Sequence, residues 1–516
     1  MSNMNNNLLG ILLVDLCKHI FIGAMPGHFK SSLIRFILIS LFKRAIPVIV
    51  FEPGKSEYRT MKAMTCSDDP DVSSLAQETR IYTPGDDRVS PIRIDPLARP
   101  EGMPDTQKID NAVETICMSG DYFDPLPQII YEALSTDYYR YRHKNGSKPH
   151  IGRLFEKCEK ILFTRYGQEV RDNLIGALSS RLSKLSDGYS AMGRIFSCGE
   201  NIPSTQSLLT GCTIIELKAL GDSDFPLAVL LKLGAIRDAV EHTPWLDKSK
   251  PRLVIILEES HRFFANLSNK DLADKVAEAI SNMLKELRAL GISLFLVNQD
   301  PLPRSILKAT GTILVGRQIE GGDRQLIADC MMLSDIQRDS LAFLRPRDFF
   351  LFSESFSRAV KIRVPDIYQK ISMPFADELA GERILPYIKN DKWFTDCREA
   401  RITAELKLLG EKLYAFSVDA EKMYHDVIKT LSVAKKIKCE VLVRKAIHFD
   451  RQIEDSLCDF HKNYMVPLAG IDGNTDYAEH HEWFRVRCVD RFEKIEKRLI
   501  ECQNKLKKYT KIQGAL

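Results

Sequence analysis

The feature that most constrains this chain is a short apolar run that ends in a loop and passes straight into a helix. Residues 19–22 are apolar, 23–28 hold two glycines and a proline, 30–43 carry Leu and Ile at helical spacing, and 48–51 are again continuously apolar. Unbroken apolar runs of this length fit strands buried on both faces. A strand–helix–strand unit implies parallel pairing, because the helical crossover returns the chain to the same end of the sheet.

Further runs of this kind lie at 213–217, 253–257, 293–297, 312–315 and 349–352, with helical spacing over 225–241 and 271–290. Between 107 and 196 strand signals vanish and helical spacing dominates. The expected architecture is an α/β core with a mainly parallel sheet, formed by residues 1–106 and 206–375 and interrupted by a helical insertion, 107–205. A C-terminal helical region, 376–516, follows. In it Leu406, Leu409, Leu413, Phe416, Ala420, Met423 and Val427 form one apolar series, and Phe484, Cys488, Phe492, Ile495, Leu499, Cys502 and Leu506 a second. Such heptads predict long helices packed as a coiled-coil hairpin or against a partner.

With 516 residues, 44% of them hydrophobic, the chain can build two to four domains with sizeable cores. A net charge of +4 does not by itself imply nucleic acid, so any DNA-binding surface would be local. The twelve cysteines are scattered without a CxxC pair, as expected of reduced thiols in a cytoplasmic protein. Residues 1–7 are polar and lack a basic start, which argues against a secretory signal. The most apolar helical stretch, 32–42, is interrupted by Arg35 and falls short of the roughly 20 residues a bilayer span needs, so no membrane partner is expected.

The loop before the first helix carries the strongest chemical signal. A P-loop reads GxxxxGK[ST] between a strand and a helix; its backbone N–H groups surround phosphate, the Lys reaches the outer phosphates and the hydroxyl ligates Mg²⁺. Here Lys30-Ser31 opens the helix as required, with Ser32 beside them and Gly23 and Gly27 in the loop. The glycines depart from the pattern. Counting back from Lys30, Ala24 and Phe29 stand where the two glycines belong, and starting from Gly23 makes the loop one residue too long. An ordinary tight turn between strand and helix would read the same way.

Two further signals fall where a P-loop predicts them. The 253–257 run ends in Glu258-Glu259, and a P-loop ATPase needs one acid for Mg²⁺ and a second to orient the attacking water. Gln299 follows the 293–297 run and offers an amide to the terminal phosphate or to water. An N-capping acid and a plain loop amide account for each alone, but the order Lys, Glu-Glu, Gln is more telling than its parts.

These residues and their neighbours resemble the HerA-type ATPases of the HerA/FtsK superfamily over about 18–375. Val50-Phe51-Glu52-Pro53-Gly54-Lys55-Ser56-Glu57-Tyr58-Arg59 is similar to the family's second-strand block, and Ile81-Tyr82-Thr83-Pro84-Gly85 with Ser90-Pro91-Ile92-Arg93-Ile94-Asp95-Pro96 to the next. Glu258-Glu259-Ser260-His261-Arg262 resembles its acid motif, with Ser260 in place of Ala; Glu286-Leu287-Arg288 also fits. The resemblance implies a RecA-like P-loop ATPase core, with ATP and Mg²⁺ as cofactors. It further implies a homohexameric ring acting on duplex DNA, in DNA processing or antiviral defence with a nuclease or effector partner. By the same resemblance Lys30 and Ser31 bind phosphate and metal, Glu258 helps hold Mg²⁺, Glu259 polarises water and Gln299 senses the terminal phosphate. Arg317, or alternatively Arg324, would reach a neighbouring subunit's site. The β-barrel that precedes the P-loop in HerA proteins has no counterpart before Gly23, so its nuclease-docking role does not carry over. The altered glycines leave a second expectation open: a non-hydrolysing scaffold that recruits a partner through the C-terminal helices. Glu479-His480-His481-Glu482 lacks metal-binding helical spacing and reads as a solvated turn.

Overall fold

A computed structural model describes residues 13–365 apart from short stretches (67–68, 87–88, 120–121, 145–148, 187–189, 197–202, 246 and 264–269), with 379, 381–388, 391 and four single positions beyond. The two C-terminal heptad series and the 479–482 turn lie outside the described residues. The chain divides into two compact units, Met1–Arg401 and Ile402–Leu516.

The first unit is built on one nine-stranded sheet. Its strands are β1 (His19–Gly23), β2 (Val48–Glu52), β3 (Arg80–Tyr82), β4 (Cys212–Glu216), β5 (Leu253–Glu258), β6 (Ile292–Asn298), β7 (Thr310–Val315), β8 (Asp348–Ser353) and β9 (Val360–Arg363). They lie in the order β3-β4-β2-β5-β6-β1-β7-β8-β9. Pairing is parallel from β3 through β7, and β8 and β9 add antiparallel strands at one edge. All seven strands expected from apolar runs form within a residue or two of their expected positions; β3 and β9 were not anticipated.

Alternation along the buried strands sends side chains into two cores. On one face Ile20, Ile22, Val48, Val50, Val254 and Ile256 meet Leu33, Ile34, Leu38 and Leu41 of the helix Lys30–Phe42. On the other, Phe21, Ile49, Phe51, Ile255 and Leu257 share a continuous core with the helices Asp105–Cys117, Leu126–His143, Leu154–Arg165, Gln168–Ser186 and Phe225–Glu241. The all-helical stretch therefore covers a sheet face and shares its core. Among the described residues no helix is long and apolar enough to cross a membrane.

β1 sits between β6 and β7, every residue of it buried. The helix Lys30–Phe42 then carries the chain over β6 and β5 to β2. The parallel strands thus end on one side around the exit of β1, where open α/β sheets place their ligands.

Core burial is costly at Lys232, on the helix Phe225–Glu241. It is 1% exposed and its Nζ has no hydrogen-bond partner among the described residues. Burial pushes its ammonium from 10.5 down to about 7. Between those values the unfolded chain binds the proton and the folded chain does not, so stability rises with pH across that window and the penalty is greatest below it. Lys232→Met should therefore stabilise the protein at pH 7 by on the order of 3 kcal/mol. Thermal melts at several pH values should show a rising midpoint between about pH 7 and 10 for the natural chain and a flatter profile for the variant. Parallel profiles would exclude Lys232 as the source.

Candidate nucleotide-binding cleft

The loop leaving β1 is held by its neighbours' backbones. Ala24 N–H donates to the carbonyl of Asn298 at the end of β6 (3.3 Å), and Met25 N–H to that of Arg317 just past β7 (3.2 Å). His28 turns away from the loop into protein. Its Nε2 lies 2.8 Å from the Asp348 carbonyl, and its ring packs edge-on against Phe349 with centroids 5.1 Å apart. A Cβ at Gly316 would come within 2.3 Å of that ring, so only glycine fits there. Burial pushes the His28 imidazole below its usual range, favouring the neutral form.

With both ends fixed, the turn needs positive φ twice, at Gly27 (74°) and at Phe29 (65°). Gly27 accepts this freely, whereas a non-glycine residue is strained by on the order of 1–3 kcal/mol. Phe29 caps the helix Lys30–Phe42 without a side-chain hydrogen bond, so the first helical N–H groups remain open at the positive end of the helix. Lys30 Nζ donates to the carbonyl of Ala24 and, at 3.4 Å, to that of Met25. Burial lowers the Lys30 pKa, while Glu259 and Glu258 oppose the shift.

This loop forms one wall of a cleft of about 570 Å³. The loop after β2, with Pro53, Gly54, Lys55 and Glu57, forms a second wall; Glu258, Glu259 and Arg262 after β5 and Gln299 after β6 complete it. Among the described residues three of the six non-glycine residues with positive φ, Phe29, Ser56 and Glu259, fall in these loops. Strain concentrated around one cleft is a mark of a functional site.

The acids are set deep. Glu258 ends β5 and accepts a hydrogen bond from the hydroxyl of fully buried Tyr58. Burial raises the Glu258 pKa, the Tyr58 hydrogen bond lowers it in part, and Glu57 and Glu259 add repulsion. Glu52, at the end of β2, accepts from the backbone of Glu57 and Tyr58; burial, then Glu216 and Glu258, push its carboxyl well above the usual range. Glu216 is itself neutralised by Arg59, whose Nε lies 2.9 Å from Oε1. Glu259, at φ 50°, turns its carboxylate toward Gln299 Nε2 at 3.4 Å and His261 Nδ1 at 3.5 Å.

The cleft brings together Gly27, Lys30, Ser31, Ser32, Glu258, Glu259 and Gln299. β6 lies between β1 and β5, so Gln299 is on the strand beside the loop and the acid pair one strand further. Gly23 and Arg317 stand apart from it. Gly23 ends β1, where a Cβ would meet the Phe21 ring at 2.7 Å. Arg317 is exposed, its Nε donating to the Ala342 carbonyl at 2.9 Å, and Arg324 is half-buried on the helix Gly321–Met331. Tyr58 and Arg262 were not singled out from the sequence; both lie within the resembling blocks, and only the folded sheet brings Tyr58 to Glu258, whereas Arg262 follows Glu259 by three residues.

Neither a protein-family model nor a curated protein matches the chain. Among solved structures, VirB4 of Thermoanaerobacter pseudethanolicus is similar, with a TM-score of 0.51 and 16% identity, over 71% of this chain and 98% of that one. The fold is that of a RecA-like P-loop ATPase. Plasmid coupling protein TrwB in complex with ADP and Mg²⁺ is matched at TM-score 0.46 and 10% identity, over 68% of this chain and 86% of that one. The genome-packaging NTPase B204 of Sulfolobus turreted icosahedral virus 2, in complex with ATP-γS, is matched at 0.30 and 10%, over 68% and 99%.

The P-loop's own groups suit a phosphate and a metal. The helix start presents open N–H groups, and the buried Ser32 hydroxyl has no partner among the described residues. Glu258 and Glu259 repel each other in a way that a cation would relieve. The raised Glu258 pKa means that the unfolded chain loses this proton first, so ionising Glu258 costs stability as pH rises above 4.5. Glu258→Gln should therefore raise the melting temperature of the ligand-free protein at pH 7. The same variant should lose the added stabilisation that Mg²⁺ with nucleotide gives the natural chain. Equal Mg²⁺-dependent gains in both proteins would remove Glu258 from the metal site.

Proposed function

We propose that this chain is an ATP- and Mg²⁺-dependent motor or remodelling ATPase of the HerA type, working on duplex DNA as a homohexameric ring. The observation that carries it is the meeting, in one cleft, of Lys30 and Ser31 from the β1 loop, Glu258 and Glu259 from β5 and Gln299 from β6. Lys30, Ser31, Ser32 and the open N–H groups would hold the phosphates, with Ser31 and Glu258 on the metal. Bound Mg²⁺ would neutralise charge developing on the phosphoryl oxygens. Glu259, hydrogen-bonded by Gln299 at 3.4 Å, would orient water. Arg317, or Arg324, would serve a neighbouring subunit; neither lines its own cleft, as a residue acting in trans requires. DNA and the ring are supported by the resembling motif blocks; a DNA-processing or defence setting, with an effector partner, rests on the same family resemblance alone.

Phe29 supports a second reading. A strained phenylalanine lines the phosphate-binding wall where a P-loop has glycine. A chain with that wall closed would keep the RecA-like core as a non-hydrolysing scaffold and use region 376–516 to recruit a partner.

Turnover separates the two. Glu259→Gln should lower ATP hydrolysis by about 10²- to 10⁴-fold, since it removes the group that polarises water, while ATP affinity stays within about threefold. Phosphate release measured with and without duplex DNA, with Lys30→Ala as the blank, provides the check. Turnover unchanged by Glu259→Gln would remove its catalytic role, and turnover in the natural chain no greater than in Lys30→Ala would leave the scaffold.

A further inference from the structure

We infer that Arg262 is a cis-acting sensor of the terminal phosphate of a nucleoside triphosphate, stored on Asp222 until the nucleotide draws it away. The inference rests on the nucleotide reading of the cleft and assigns its third cation, beside Lys30 and Lys55.

The strand end dictates where this arginine goes. Glu259 adopts a left-handed turn at the end of β5 (φ 50°), and the chain folds back at once so that Arg262 N–H donates to the Glu259 carbonyl at 3.0 Å. That turn keeps the Arg262 backbone beside Glu259, and both residues line the cleft. Lys30 approaches from the opposite wall. An arginine fixed to the acid side is placed to tell a third phosphate from a second, since Lys30 and the loop amides already serve the inner ones.

The pose of the side chain is a holding pose. Its Nη2 donates to Asp222 Oδ1, and its guanidinium carbon lies 5.1 Å from the centroid of the Phe225 ring. Its Nη1 is buried and has no hydrogen-bond partner among the described residues. A buried donor on a cation without an acceptor is unfavourable. Asp222 offers a weak hold, being 68% exposed against 21% for the arginine, and ion pairs with an exposed partner contribute little. A phosphoryl group offers a guanidinium two oxygens at once, through the stronger, charge-assisted kind of hydrogen bond. The Phe225 ring, at the start of the helix Phe225–Glu241, lies beside the guanidinium, so a shift from Asp222 toward the cleft would need only a rotation of the side-chain end.

Two substitutions should then act in opposite directions. Arg262→Ala should weaken Mg²⁺-ATP binding by roughly 10- to 100-fold, the range of a lost charge-assisted hydrogen bond, while ADP affinity changes by less than about threefold. Asp222→Asn, which frees the arginine, should tighten ATP by a few-fold and leave ADP unchanged. The double variant should match Arg262→Ala. Calorimetric titration of the full-length chain with ATP, ADP and the slowly hydrolysed ATP-γS, in Mg²⁺, measures each value, with Lys30→Ala alongside. Equal losses for ATP and ADP in Arg262→Ala would reduce the residue to general electrostatics or packing, and weaker ATP binding in Asp222→Asn would overturn the storage role. If the natural chain binds ATP in a Lys30-dependent way and neither variant alters the ATP-to-ADP ratio, the sensor fails and the cleft's nucleotide reading survives. If no protein binds either nucleotide, both fall together.

Discussion

The left-handed turn at Phe29 is the constraint on which the rest of the site depends. β1 leaves the middle of a parallel sheet, and its loop is fixed on one side by Asn298 and on the other by Arg317. His28 is packed against Phe349 and bonded to the Asp348 carbonyl, so the loop has no freedom to relax outward. The helix must start at Lys30 for its apolar side chains to cover the sheet. Only one residue remains to join the two, and Phe29 takes φ 65° there. The same geometry that strains Phe29 aims open N–H groups and Lys30 at the cleft.

The opposite wall carries a different kind of stored free energy. Glu52, Glu216 and Glu258 end three strands that are neighbours in the sheet, which brings two buried carboxyls and a half-buried one close together. Arg59 neutralises Glu216 and Tyr58 donates to Glu258, yet the Glu52 and Glu258 pKa values remain raised. A fold optimised for stability alone would hold amides or apolar residues there. Carboxyls whose pKa values are raised by burial and by one another form a site that would gain free energy when a divalent cation arrives, the stability–function trade common at active sites.

Much of the core was legible because parallel strands buried on both faces are written as unbroken apolar runs, as at Val48–Glu52 and Leu253–Glu258. β3 escaped because three residues are too few to make a run, and β9 because its residues alternate between half-buried and exposed. Direction is not encoded in hydrophobicity, so the antiparallel β8 read like its parallel neighbours. The position of β6 between β1 and β5 is a property of long-range packing that no local pattern carries. Lys30, Ser31, Glu258, Glu259 and Gln299 could be expected to line one cleft because motif order implies strand ends. Gly23, the last residue of β1, leaves room for the Phe21 ring, a contact that the loop pattern does not reveal. Arg262 looked like one more charged residue, because neither Asp222 nor Phe225 is near it in sequence.

The central claim is that the β1 loop is a working but strained phosphate cradle, and ATP affinity as a function of residue 29 tests it most directly. Titrations of the natural chain, Phe29→Gly and Lys30→Ala with Mg²⁺-ATP give three dissociation constants. The account predicts weak, Lys30-dependent binding by the natural chain. It predicts tightening by roughly 5- to 150-fold in Phe29→Gly, as on the order of 1–3 kcal/mol of strain is relieved. Tight binding by the natural chain that Phe29→Gly leaves unchanged, or no binding by either protein, would contradict it.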